Sequence, residues 1–221
     1  MIHILPLLYI PRYMKDKANG YLEVILGPMF SGKTSKIIEI YKQYSFCGIR
    51  TLVINHSHDT RYGEENINGV TETITTNVLY SHDQKRVNCI YGDSLQSVLH
   101  DYIDWFTDSQ PLGVFINEGQ FFPDLKSTIW KMVKEHKSHV YVAGLDGDFQ
   151  REKFGEMLEL IPFCDQVYKL RSFCVFCKDG TKAIFSYRIN HTKCVDQTQV
   201  GAGEHYVPLC RKCYETQYIK N

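Results

Sequence analysis

The stretch Gly27-Pro28-Met29-Phe30-Ser31-Gly32-Lys33-Thr34 has the residue types and spacing to cradle an anion. It fits G-x-x-x-x-G-K-[ST], in which glycines permit a turn whose successive backbone N–H groups face inward. A helix starting near Lys33 adds the positive end of its dipole. The Lys33 ammonium then suits the β- and γ-phosphates of a nucleoside triphosphate, and the Thr34 hydroxyl suits a magnesium ion. The competing reading is a glycine-rich turn that happens to precede a helix. Asp59-Thr60-Arg61-Tyr62, in a polar stretch, adds a carboxylate and a guanidinium to the groups that can do chemistry.

Two further constellations follow. Asn117-Glu118-Gly119-Gln120 comes directly after the apolar run Val114-Phe115-Ile116. A carboxylate at a strand end can hold magnesium, directly or through water, or take a proton from an attacking hydroxyl. Only Glu118 of the strand-end pair is acidic, and its plainer reading is a surface glutamate at a helix start. Cys174-x-x-Cys177 and Cys210-x-x-Cys213 supply four thiolates, the donor set of a closed tetrahedral zinc site. Two disulfides or a redox dithiol are the alternatives, although Cys47, Cys89, Cys164 and Cys194 lie singly and point to a reducing compartment. Zinc would tie together the ends of a polar excursion, Lys178 to Leu209, and such binding is worth roughly 10–16 kcal/mol of apparent folding free energy. Leu145-Asp-Gly-Asp-Phe149-Gln-Arg-Glu-Lys-Phe154-Gly155 is a polar loop in which the two rings either stack on a flat ligand or anchor the loop.

Strand and helix signals alternate around these residues from 21 to about 171. Tyr21–Leu26, Arg50–His56, Pro111–Ile116 and His139–Gly144 read as buried strands, with Arg86–Tyr91 and Gln166–Leu170 as weaker ones. Helical spacing runs from Lys33 to about Tyr44, from Ser94 to Phe106 with Ser94 as N-cap, and from Pro123 through Val133. This order predicts an α/β fold, a P-loop, RecA-like, mainly parallel sheet flanked by helices, followed by a small zinc-ribbon domain. The expected organisation is an N-terminal extension over 1–19, a nucleotide-binding domain over 20–171 and a zinc-binding domain over 172–221. In such sheets ligands sit beyond the carboxyl ends of the strands. Gly27–Thr34, Asn117-Glu118 and Leu145–Phe149 all follow strand ends, so they are expected to meet in one crevice.

Composition narrows the function. Of 221 residues 43% are hydrophobic, enough for a real core, and 25 acidic balance 25 basic residues. That zero net charge argues against a partner bound through nucleic-acid phosphates. The apolar run Ile4 to Ile10 contains Pro6 and is too short to span a bilayer, so neither a membrane nor a secreted setting is expected.

Taken together, the loop Gly27–Thr34, Asp59-Thr-Arg-Tyr62, Glu118-Gly-Gln-Phe-Phe-Pro-Asp124, Leu145-Asp-Gly-Asp-Phe-Gln-Arg151 and the double C-x-x-C resemble the type II, cellular and poxvirus-like, thymidine kinase family from about Gly20 to Tyr214. The resemblance implies a cytoplasmic, magnesium-dependent transfer of the γ-phosphate of ATP to the 5′-hydroxyl of thymidine, with structural zinc, a homotetramer or dimer, and dTTP as feedback inhibitor. It implies Glu118 as general base, Lys33 and Arg61 as charge stabilisers, and Asp59, Thr60, Asn117, Gly119 and Gln120 beside the nucleotide. Phe149 corresponds to the ring that stacks on thymine; Met29, Leu145 and Phe154 line the base pocket. Val200, Gly201 and Tyr206 fall on the zinc-anchored lasso whose backbone reads the pyrimidine. This chain departs from the family in carrying Asn117 where Asp is usual, which shifts magnesium positioning toward Thr34, phosphate oxygens and water. It also carries Gly201-Ala-Gly203 where Gly-Gly-Ala is more usual. The rival readings are a DNA-stimulated RecA-type ATPase, which needs a basic stripe, and a non-catalytic nucleotide-binding module.

Overall fold

The computed structural model describes residues 19–59, 78–80, 85–189 and 205–220. Residues 1–18, Thr60, Arg61, Val200 and Gly201 lie outside that set. Continuous apolar runs become central strands here because both sheet faces are covered. The strands β1 (Tyr21–Leu26), β2 (Arg50–His56), β5 (Ile90–Gly92), β6 (Leu112–Ile116), β7 (His139–Gly144) and β8 (Gln166–Lys169) form one sheet in the order β5-β2-β6-β7-β1-β8. Every pairing in it is parallel.

Side-chain alternation divides the core in two. Leu22, Val24, Leu26, Leu52, Ile54, Val114, Ile116, Val140 and Val142 point to one face. There they meet α2 (Leu95–Asp101), α4 (Leu125–Lys134) and the 3-10 turn Met157–Phe163. Ile25, Val53, Phe115, Tyr141 and Ala143 point to the other and meet Ile37, Ile38, Ile40 and Tyr44 of α1 (Lys33–Phe46). On that face Tyr44 lies across β6. Its hydroxyl hydrogen-bonds Nδ1 of His139 and the Tyr141 hydroxyl, each at 2.9 Å. A Cβ at Gly113 would stand 2.7 Å from the Tyr44 ring, so the close approach requires glycine.

The expected helix over Ser94–Phe106 is two pieces, α2 and α3 (Ile103–Thr107), broken at Tyr102 (φ −110°, ψ 21°). The break turns Phe106 fully into the core and leaves Ile103 39% exposed. The expected strand Arg86–Tyr91 also divides. β4 (Arg86–Asn88) pairs antiparallel with β3 (Val78–Tyr80), and β5 joins the edge of the main sheet. Ser94 caps α2 weakly, its Oγ 3.4 Å from the Ser97 N–H. Asp124 does most of this work from another element. Its carboxylate accepts from the Leu95 N–H at 3.1 Å, the Gln96 N–H at 2.7 Å and the Ser94 hydroxyl at 2.7 Å. Burial alone would raise the Asp124 carboxyl, but these donors outweigh it and hold it below the usual range.

Beyond β8 the sheets are small. β9 (Ser172–Phe173) pairs with β10 (Lys182–Ala183), β11 (Phe185–Arg188) pairs with β12 (Tyr206–Leu209), and α5 (Arg211–Lys220) follows. Their apolar centre is Cys174, Ala183, Tyr187, Leu209, Cys210 and Tyr214. Two of those six residues are cysteines of the C-x-x-C pairs, so the packing centre and the thiol cluster are one structure.

Candidate active site

The loop after β1 reaches α1 through Gly32, which sits at φ 85°, ψ 18° and offers the helix no side-chain cap. That left-handed conformation costs glycine little. Among the described residues no atom beyond its two chain neighbours lies within 4 Å of where a Gly32 Cβ would stand, and the first turn of α1 holds no acidic residue. A helix start with no acidic side chain in its first turn is the arrangement that takes a phosphate. Ser31 Oγ, in the same loop, is buried with no hydrogen-bond partner. Lys33 folds back so that its ammonium donates to the Pro28 carbonyl at 2.8 Å.

The loop is pinned from the C-terminal strands. The Met29 N–H donates to Ser186 Oγ of β11 at 3.0 Å, and the Ser172 hydroxyl of β9 donates to the Phe30 carbonyl at 3.0 Å. Neither serine stood out in the sequence. Strand alternation does place Ser186 and Arg188 on one face of β11, but alternation names no partner.

β7 separates β1 from β6 in the sheet, and side-chain hydrogen bonds link the segments that follow the three strands. The Thr34 hydroxyl donates to Asn117 Oδ1 at 3.3 Å, Asn117 Nδ2 donates to Asn55 Oδ1 at 3.0 Å, and Asn55 Nδ2 donates to Asp59 at 3.0 Å. The Thr34 hydroxyl and the Asn117 amide oxygen are hard oxygen donors side by side, the donor type that suits a cation such as magnesium. Glu118 itself occupies the left-handed region (φ 54°, ψ 42°). For a side-chain-bearing residue that conformation is strained and is kept where the surroundings over-determine it.

Those surroundings centre on Gln120, which is 3% exposed. Its Oε1 accepts from the Leu145 N–H at 3.0 Å, so its Nε2 faces Glu118 and donates to Oε2 at 2.6 Å. Gly155 (φ 54°) packs against the same residue; a Cβ there would lie 2.2 Å from the Gln120 carbonyl oxygen. Nearby His56 is buried among Phe121, Phe122 and His58, and its Nδ1 accepts the His58 N–H at 3.1 Å. Burial first, then His58, pushes its pKa below the ordinary value, so the neutral ring carries its proton on Nε2.

The loop after β7 shapes itself. Asp148 Oδ1 accepts the Gln150 and Glu152 N–H groups at 2.8 and 3.0 Å, and Gly147 bridges Lys153. Leu145 is half-buried, while Phe149 and Phe154 are buried. Phe154 packs edge-on against Phe121 with centroids 5.5 Å apart, which anchors the loop. Phe149 meets a cation instead. The Arg188 guanidinium carbon lies 3.8 Å from its ring centroid, and Arg188 is fully buried. The same guanidinium donates to the Tyr206 hydroxyl through Nε at 2.9 Å and Nη2 at 2.5 Å. The Tyr214 hydroxyl donates to the Phe149 carbonyl, which ties the loop to α5.

The sulfurs of Cys174, Cys177, Cys210 and Cys213 all lie within 4.8 Å of one another. Cys177 Sγ stands 3.8 Å from Cys210 and 3.4 Å from Cys213. Bonds of about 2.3 Å to one tetrahedral zinc put sulfurs about 3.8 Å apart, so the set fits that metal. These separations are far beyond a disulfide bond, and the four thiols are free. Burial opposes ionisation of Cys174, yet backbone donors from Cys210, Cys177 and Phe176 outweigh it and bring the thiol down to about 6. Among the described residues no helix is long and apolar enough to cross a membrane.

A thymidine kinase family model matches residues 20–214 of the chain. The thymidine kinase of Sheeppox virus (strain KS-1) is 36% identical over 196 residues, covering 88% of this chain and 97% of that protein. The thymidine kinases of Vaccinia virus (strain Copenhagen) and Monkeypox virus are each 34% identical over 196 residues, covering 89% of this chain and 97% of theirs.

Proposed function

The chain belongs to the thymidine kinase family, and we propose that Gly27–Thr34 hold the triphosphate of ATP while Glu118 activates the 5′-hydroxyl of thymidine held near Phe149. The reaction is ATP-dependent phosphorylation of thymidine to dTMP. One observation carries the division of roles: the strand ends bearing Thr34, Glu118 and Leu145 are joined by direct side-chain hydrogen bonds, through Asn117 and Gln120.

In this reading the N–H groups opening α1 receive the β- and γ-phosphates, and Lys33 leaves the Pro28 carbonyl to join them. Magnesium, when bound with ATP, offsets charge on those phosphates. Thr34 would hold it, with Asn117 and Glu118 supporting from the neighbouring strand end. Glu118, steadied by Gln120, takes the proton of the 5′-hydroxyl as that oxygen attacks. Arg61, with Asp59 and Thr60 beside it, stabilises the transferring group. Phe149, fixed in plane by Arg188, stacks on thymine, an interaction worth about 1–3 kcal/mol per base in other settings. Met29, Leu145 and Phe154 close the pocket with Tyr206, and Val200 and Gly201, which lie outside the described residues, take the pyrimidine-reading role that the family resemblance implies. Gly119 lets Glu118 and Gln120 pack this closely: a Cβ there would stand 2.7 Å from Met157 Sδ. Zinc, when bound, holds the lasso's two ends at residues 174–177 and 210–213.

A nucleoside triphosphate bearing thymine presents both the base and the phosphates that this crevice takes. That supports dTTP as a feedback inhibitor, checked by competition against both substrates. A cytoplasmic homotetramer completes the proposal, checked by sedimentation. For the central assignment, Glu118→Gln keeps ATP and thymidine binding and loses about 10²–10⁴-fold in turnover. Near-normal turnover in that variant reassigns the base.

A further inference from the structure

We infer that Asp59 sets the orientation of the Thr34 hydroxyl from a distance, through a one-way hydrogen-bond relay made by Asn55 and Asn117. The inference rests on the reading of Thr34 as the magnesium ligand. A carboxylate can only accept hydrogen bonds, so its partner Asn55 must turn its amide nitrogen toward Asp59, at 3.0 Å. That leaves the Asn55 oxygen for Asn117, whose own nitrogen must face it, at 3.0 Å. The Asn117 oxygen is then the only end left for Thr34, whose hydroxyl donates to it at 3.3 Å. Thr34 spends its one hydrogen there, which turns its lone pairs away from Asn117 and makes them available to a cation.

The fold protects this direction. Asn55 lies one residue before the end of β2 and Asn117 follows β6, and the parallel register Ile54↔Ile116 brings them level. The Asn117 N–H donates to the Ile54 carbonyl at 2.9 Å, which locks that level. The two amides are 1% and 2% exposed, so water does not compete to turn them over. All three bonds run the same way, and each polarises the next, so negative charge from Asp59 is passed to the oxygen facing Thr34. Asp59 and Asn55 act through Asn117 and Thr34, and both are positioning residues. A neutral amide at 117 can thereby serve a cation without placing a second full charge beside the triphosphate.

The test uses the full chain with ATP and reads binding of Mn2+, a paramagnetic stand-in for magnesium, by electron paramagnetic resonance. Asn55→Leu cuts the relay; Asp59→Asn keeps an acceptor but no longer dictates direction and keeps the fold if Asn55→Leu does not. Thr34→Val removes the ligand itself. Each of Asn55→Leu and Asp59→Asn should weaken Mn2+ binding about tenfold, the lower range for groups behind a metal ligand. The double variant should be no weaker than the worse single one, and thymidine affinity should stay within about twofold, because the relay never touches the base. Losses that multiply in the double variant, or unchanged Mn2+ affinity in both singles while Thr34→Val weakens it, overturn the relay. Unchanged affinity in Thr34→Val removes the ligand reading on which it stands.

Discussion

Arg188→Met is the substitution whose outcome says most about how the base pocket is held. Arg188 is fully buried, with its guanidinium 3.8 Å from the Phe149 centroid and its forked donors on the Tyr206 hydroxyl at 2.9 and 2.5 Å. A desolvated cation–π contact is worth about 2 kcal/mol. A hydrogen bond from a charged donor adds about 1.5–3 kcal/mol, and its loss leaves a buried hydroxyl short of a partner. Methionine keeps an unbranched apolar stem, so the cavity penalty is small. These terms do not add fully, and part of the loss is shared with overall stability. Thymidine affinity should therefore fall about 10–100-fold, which is about 1.4–2.7 kcal/mol. ATP affinity should move less than about threefold, since the loop proposed to take its phosphates is pinned by Ser186 and Ser172 rather than by Arg188. Calorimetric titration of each ligand measures both, and a thermal melt supplies the global change at about 2–4 °C per kcal/mol for a chain of this size. Arg188→Lys, which keeps charge but loses the planar fork, should fall between the two. A lowered melting temperature with thymidine affinity within twofold of the parent would refute the argument, because Arg188 would then be a stabilising residue and nothing more.

Two other outcomes follow from the same coordinates. Stripping zinc with a chelator, or replacing Cys174 with Ser, should abolish thymidine binding and weaken ATP binding much less, because the loop Gly27–Thr34 loses only its Ser186 and Ser172 pins. The thiol cluster holds β11 and β12, which carry Arg188 and Tyr206, whereas α1 packs on the large sheet. Parallel loss of both affinities in titrations would sink that separation. Asp124→Ala should cost about 1–2 kcal/mol, the usual worth of a helix N-cap, visible as an earlier thermal or urea transition. The Asp124 pKa is lowered from 3.8, so its contribution is complete above that value and disappears as pH falls through the lower folded value. Melts of parent and variant should therefore converge in strong acid, and a gap that stays constant there removes the carboxylate explanation.

Much of this architecture is written in neighbouring residues. Gly32-Lys33-Thr34 between an apolar strand and an isoleucine stripe can do little other than open a helix on a turn. The C-x-x-C spacing brings each pair of sulfurs together through a local turn alone. Glu118 was legible as a group at a strand end, and the unbroken apolar strands announced a sheet covered on both sides. The break at Tyr102 and the pairing of β3 with β4 were not legible, because local spacing does not show how a segment packs.

The working partners came only with the tertiary structure. Ser186 lies 157 positions from the Met29 N–H it receives, and Asn117 lies 83 from Thr34. Nothing in the identity of a serine or an asparagine says which distant group it will meet. Arg188 lies in a stretch that carries no local signal of burial, since charged side chains mostly stay exposed, and the fold buries it on Phe149. Asp124 stands at the N-cap position of α4, yet its carboxylate caps α2. The sequence by itself determined the chemical groups and their local backbone, since these depend on side-chain size, spacing and turn preference. Strand order and register decided which of those groups touch, because a hydrogen bond is set within tenths of an ångström by elements far apart in the chain.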